Sequence, residues 1–135
     1  MKNDWSPSWK SSSKPGKQVK YRENAPKHIR HKLMAAHLNK DLRKQYGRRS
    51  FPVRKGDKVK VMRGEYARTI GEITKVDMKK YKVFVKGAEE KTKAGPTRFY
   101  QIHPSNLMLI SFNLDDKKRA EALGRDKHVQ KTTPK

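Results

Sequence analysis

The sequence predicts a mainly β protein: a small, curled, five-stranded antiparallel sheet closing as a barrel, with a basic helical extension before it and a short helix after it. Three observations predict this. Valines and an isoleucine alternate with polar residues in three short runs, at Val59 and Val61, Ile73 and Val76, and Val83 and Val85. Alternation over about four to eight residues marks a strand with one wet face. Gly64 and Gly71 fall at the breaks, where a tight corner or bulge needs a residue that tolerates unusual backbone angles. The third observation is composition: 135 residues, 36% charged and only 33% hydrophobic. Such a chain can build one compact unit, with extensions that lean on a partner.

In chain order, residues 1–20 read as a basic tail in which Ser, Pro, Gly and Lys dominate without periodicity, and low hydrophobicity predicts disorder in the free protein. Trp5 and Trp9 are open there between stacking on exposed bases and a blander role, either a tether onto neighbouring protein or plain disorder. Residues 21–50 read as a basic helical extension. Asn24 is placed to cap a helix, Pro26 suits its first turn and Gly47 stops it, with a break near Leu38 and Asn39 making two helices. Ile29, Leu33 and Ala36 share one face, and Leu38, Leu42 and Tyr46 form a second row. Arg48 to Lys55 read as a linker, because Pro52 cannot sit inside a strand ladder.

The barrel is assigned to residues 51–110. After the three central strands, Ala88 to Thr97 reads as an exposed hairpin tip, Arg98 to His103 as a fourth strand and Leu107 to Ile110 as the fifth. Residues 111–135 form the C-terminal unit, a short helix from Asn113 to Gly124 followed by a frayed basic tail, with Asn113 as the cap.

The formal net charge is +22, from 35 Lys and Arg against 13 Asp and Glu. Self-repulsion on that scale is relieved by a bound polyanion. Nucleic acid comes first among the candidates. A membrane comes second, and no apolar run approaches the roughly 18 residues of a spanning helix. The Ser-rich, acid-poor N-terminus has a faint likeness to a transit peptide, against which stand Asp4 and the lack of any Arg before Arg22. There is no cysteine, which excludes disulfides, iron–sulfur clusters and zinc knuckles.

Chemistry beyond charge is hard to assemble. No nucleophile elbow, phosphate-cradling loop or zinc-protease motif is present, so no enzyme activity, cofactor or small-molecule substrate is expected. His28 and His31 stand three apart on a helix, a spacing that suits a metal. Lys and Arg surround them and no carboxylate completes a set, so contact with RNA is the favoured role. The positive signal is the cationic constellation Arg48, Arg49, Arg54, Lys55, Lys58, Lys60, Arg63 and Arg68, continued by Lys75, Lys79, Lys80 and Lys82. Arg holds phosphate bidentately and Lys acts as a point charge. Alternation sets Lys58 and Lys60 opposite Val59 and Val61. RNA is preferred to DNA, because no helix-turn-helix, zinc finger or zipper is present and basic extensions suit irregular folded RNA.

The segment KGDKVKVMRGEYARTIGEITKV, residues 55–76, resembles a KOW motif in its lysine-glycine-acid opening, its alternating valines and its later glycine, here Gly71. KOW motifs occur in ribosomal proteins and in transcription elongation factors that contact RNA polymerase, so this segment leaves both open. The flanks narrow the choice. NAPKHIRHKLMAAHLNKDLRKQYGRRSFPVRKGDKV and IHPSNLMLISFNLDDKKRAEAL resemble the beginning and end of the large-subunit ribosomal protein L-twenty-four family in its archaeal and eukaryotic form, called L-twenty-six in eukaryotes. The resemblance covers roughly Tyr21 to Gly124. Ala67-Arg68 stand where family members usually carry Lys-Gly, and the hairpin is shorter than in eukaryotic members, which leans towards the archaeal type.

The resemblance implies an SH3-like barrel that binds large-subunit ribosomal RNA early in assembly, near the peptide exit tunnel. It implies a place in the cytoplasm within the large subunit, with neighbouring ribosomal proteins as further partners. The KOW segment Arg54 to Asp77, the basic helix Pro26 to Tyr46 and the turn His103 to Asn106 are then expected against RNA. To the cations named above, these segments add His28, Arg30, His31, Lys32, Arg43, His103, Ser105 and Asn106 as expected RNA contacts.

Overall fold

The computed structural model describes residues 4–90 and 95–124. Helices α1 (Pro15–Glu23), α2 (Lys27–Leu33) and α3 (Lys40–Tyr46) precede most of the strands, and α4 (Lys117–Gly124) follows them. The strands are β1 (Ala35–Leu38), β2 (Ser50–Pro52), β3 (Lys58–Val61), β4 (Ile70–Asp77), β5 (Lys82–Val85), β6 (Glu89–Glu90), β7 (Arg98–Phe99) and β8 (Leu107–Ser111). Six of them form one sheet in the order β2-β1-β8-β3-β4-β5, and β6 and β7 form a separate ribbon. A mainly β architecture is therefore present, but the ladder is open and does not close as the expected five-stranded barrel.

The expected fourth strand explains the opening. Of residues 98–103 only Ile102 is buried; the rest are exposed. Its two aromatic side chains, Phe99 and Tyr100, stay exposed, so the segment contributes only Ile102 to the core. It pairs briefly with β6, then touches β5 through a single bridge between Val83 and Ile102.

The second departure lies in the helical extension. Residues 35–38 form a strand rather than the end of a helix, antiparallel to β2 and parallel to β8. Ala36 and Leu38 are buried and His37 is exposed, so the two-residue period was present in a run too short to outweigh the helix propensity of Ala and Leu. The backbone of Leu38 donates to the Arg49 carbonyl at 3.0 Å, and that of Asn39 to the Leu109 carbonyl at 2.9 Å. The residues read as a linker supply β2, with Pro52 at its end on the sheet edge, where a missing donor is tolerated.

Helix limits follow local chemistry. The Asn39 side chain accepts from the Lys40 N–H at 2.7 Å, and Gly47 ends α3 at φ 64°, both as the sequence predicts. Asn24, by contrast, ends α1, and Pro26 precedes α2. Asn113 is not the cap of α4. Its oxygen accepts from the Asp115 N–H at 3.0 Å, while Asp116 accepts from the Lys118 N–H at 2.9 Å and so caps the helix.

The N-terminal stretch also carries more structure than a tail. A 3-10 turn spans Pro7–Ser11 and α1 begins at Pro15. Trp5 stacks on Tyr21 with ring centroids 5.6 Å apart, and its indole N–H donates to the Tyr21 carbonyl at 3.0 Å. The Tyr81 hydroxyl donates to the Arg22 carbonyl at 2.5 Å, joining α1 to the turn after β4. Trp5 is thus a tether within its own chain. The C-terminal tail, residues 125–135, lies outside the described residues.

Met34, Leu38, Val59, Val61, Ile73, Val83, Val85, Leu107 and Leu109 make the centre of the core, with Leu123 of α4 added to it. Each side chain of this kind contributes about 1.5–3 kcal/mol when fully buried. Beside the core lies a buried ion pair. Asp57, 0% exposed, receives both terminal nitrogens of Arg119, 4% exposed, at 2.6 Å each. The same carboxylate accepts from the Arg54 N–H at 2.8 Å and the Asn113 N–H at 3.0 Å. The Arg119 guanidinium lies 5.5 Å from the Phe51 ring and 5.6 Å from the Phe112 ring. This pair fastens α4 to the turn that opens β3.

Candidate nucleic-acid interface

The loop after β2, helix α2 and strand β4 enclose a groove of about 560 Å³ whose rim is cationic. His31, Arg54, Lys55 and Lys75 stand around Val53, Thr74, Val76 and Met78. A second hollow of about 570 Å³ shares Lys75, Val76 and Met78 with the first and adds Lys27, Arg30 and Lys79. A third, of about 320 Å³, shares His31 and Arg54 and adds Lys32, Arg48 and Lys118. The three together make one trough with an apolar floor and positive banks.

Several cations in the trough also have partners within the chain. Arg54 bonds Asp116 at 2.5 Å, an exposed pair that screening weakens. Arg30 donates to the carbonyls of Ala25 and Glu23 and fixes the turn between α1 and α2. Lys75 lies 6.0 Å from the Phe84 ring. Burial holds the His31 imidazole below its ordinary value, helped by the charges of Arg54 and Arg119, so it is neutral near pH 7. Asp77 is the acid of this region. Backbone N–H bonds from Lys80 and Lys79 keep its carboxylate below the usual range, so its charge is tied into a turn.

A smaller hollow of about 150 Å³ lies elsewhere, where the turn between β3 and β4 meets residues 100–106. It brings together Arg63, His103 and Asn106, about forty residues apart in the sequence, beside Tyr66, Lys82 and Tyr100. The Ser105 N–H donates to His103 Nδ1 at 3.3 Å, and the Ser105 hydroxyl lies 2.8 Å from the same nitrogen. Since the backbone N–H can only donate, Nδ1 accepts and the ring proton sits on Nε2. Burial, then Lys82 and Arg22, hold the His103 value down and favour that neutral form.

The remaining expected contacts belong to neither place. His28 and Arg49 are exposed on α2 and before β2. Arg43 donates to the Leu38 carbonyl at 2.8 Å. Lys58 and Lys60 do lie on the face opposite Val59 and Val61, but Lys58 stands across from Glu72. Arg68 sits in the β3–β4 turn at φ 71°, a left-handed position that favours glycine. Lys80 follows β4 in the Asp77 turn. Sequence reading overlooked Lys27 and Lys118 as members of these clusters. Lys118 is brought in by the buried Arg119 one residue on, a long-range contact without local signal.

Among the described residues, no group of three or more His, Asp or Glu side chains is placed to hold a metal ion. No helix among them is long and apolar enough to cross a membrane.

A small, highly cationic β-sheet protein with a basic trough is the class that fold and surface define. Residues 12–126 match the model of a ribosomal protein family, the one called L26 in eukaryotes and L24 in archaea. The chain belongs to that family. It is 46% identical over 114 residues to the large ribosomal subunit protein uL24 of Methanosphaera stadtmanae, covering 84% of this chain and 97% of that protein. To the uL24 protein of Korarchaeum cryptofilum it is likewise 46% identical over 114 residues, covering 84% and 87%. The match runs through both flanks of the KOW segment, and so does not support the elongation-factor alternative.

Proposed function

We propose that this protein is a structural constituent of the large ribosomal subunit and binds its ribosomal RNA along the basic trough. The observation that carries the reading is convergence: Arg54 lines two of the adjoining hollows and Lys75 another two, and Arg48, Lys55 and Lys79 line one each, although the five come from either side of β2, from β4 and from the turn after it. A trough with an apolar floor and cationic banks suits a sugar-phosphate strand, with the cations displacing its counterions. The family name of the relatives gives the RNA its source. Early binding during assembly, a place near the peptide exit tunnel in the cytoplasmic ribosome, and contacts with neighbouring ribosomal proteins complete the proposal, as does an SH3-like ancestry for the curled sheet.

The test is salt-dependent binding to large-subunit ribosomal RNA. If about six to ten phosphates are engaged, affinity falls by roughly three to five decades between about 50 and 200 mM salt. Replacing Lys55 or Lys75 by Ala lowers the slope by about one each. A flat salt response overturns the reading.

A further inference from the structure

The hollow beside the β3–β4 turn has a composition that phosphate neutralisation alone does not call for. Tyr66 and Tyr100 form its aromatic side, with centroids 5.0 Å apart and planes tilted by 45°. The Tyr66 hydroxyl donates to the Glu89 carbonyl at 3.0 Å, which fixes that ring, while Tyr100 stays 40% exposed. The backbone of Asn106 is held at both ends: its N–H donates to the His103 carbonyl at 3.0 Å, and its carbonyl accepts from the Met62 N–H at 2.7 Å. Its side-chain amide, a donor and an acceptor side by side, has no hydrogen bond among the described residues.

Arg63 and Lys82 supply positive charge to this hollow, yet Glu65 lines it too. A carboxylate is out of place in a site for phosphate alone. It is in place where exocyclic amino groups of a base must be met. An exposed aromatic face, an unengaged amide and a mixture of charges are the parts of a site for an unstacked base.

We infer that this hollow receives one splayed-out nucleobase of an RNA strand, stacked on Tyr100, its edge read by Asn106 and its phosphate held by Arg63. The inference rests on the RNA-binding reading above and names a second, base-dependent element within it. The trough then holds backbone without regard to sequence, and the hollow adds a preference for a strand that offers an unpaired nucleotide.

The test is an NMR titration of the full chain with adenosine 5′-monophosphate, uridine 5′-monophosphate and ribose 5-phosphate. The nucleotides are expected to shift the amides of Tyr66, Tyr100 and Asn106, and ribose 5-phosphate to bind about tenfold more weakly. Tyr100→Leu is expected to weaken nucleotide binding about tenfold while the salt slope for ribosomal RNA stays unchanged. Asn106→Ala, a smaller change, is expected to narrow any difference between the two nucleotides. Equal binding of ribose 5-phosphate and the nucleotides, or shifts confined to the trough, overturns the inference. A steep salt slope without base dependence overturns the hollow alone; base-dependent binding with a flat slope overturns the trough alone.

Discussion

Asp57→Asn is the substitution with the largest expected effect on the fold. The Asp57 carboxylate receives four hydrogen bonds, two from Arg119 and one each from the backbones of Arg54 and Asn113. A carboxamide has nearly the same shape but turns one acceptor into a donor, so one side faces donors it cannot satisfy. It also leaves the Arg119 side chain, 3% exposed, without its counter-charge. Removing one member of a buried pair costs about 3–5 kcal/mol, a large share of the roughly 5–15 kcal/mol that holds a domain together. With a urea slope of about 2 kcal/mol/M, the midpoint falls by about 2 M. Arg119→Met keeps a long apolar stem between Phe51 and Phe112 and leaves Asp57 its two backbone donors, so its cost is expected to be smaller. In the double variant the costs should fall short of their sum by about 2 kcal/mol. Urea unfolding followed by circular dichroism measures all four proteins. A loss below about 1 kcal/mol for Asp57→Asn would show that the pair does not fasten α4 to the sheet.

Gly71 packs so that an added Cβ would strike the Lys86 carbonyl oxygen and approach Val85; Gly71→Ala is expected to cost about 3 kcal/mol, read as a lower unfolding midpoint. Arg68→Gly relieves a left-handed residue at φ 71°, worth about 1–2 kcal/mol before the added freedom of the unfolded chain is subtracted; a small rise in thermal midpoint is expected, and a clear fall would mean the Arg68 side chain holds the turn. His31 and His103 both titrate below the ordinary 6.5 in the folded state, each chiefly through burial. The unfolded chain therefore binds these protons more readily, so their contribution to stability is complete above about pH 6.5 and is lost as pH falls below it. His31→Gln is expected to flatten the decline between about pH 7 and 5, measured by urea midpoints across that range.

Local chemistry was legible in the residues alone. Alternation placed β3 and β5, because a half-buried strand writes its burial into every second residue; in β4 Ile73 and Val76 stand three apart, across a shift of register. Asn39 and Gly47 marked α3, because caps act within a single turn. The cation surplus, and the joined segments around KGDKVKV, pointed to a ribosomal family before any fold was in view. That AAHL at 35–38 is a strand emerges from packing, since its partners, Phe51 and Leu109, lie far along the chain. Packing alone left the sheet open, with Phe99 and Tyr100 exposed and only Ile102 of that segment buried. It alone paired Asp57 with Arg119, and it alone set Arg63 beside His103 and Asn106. Periodicity and capping are near-neighbour physics and stay legible in a string of residues; which distant side chains share a hollow depends on how the whole backbone packs.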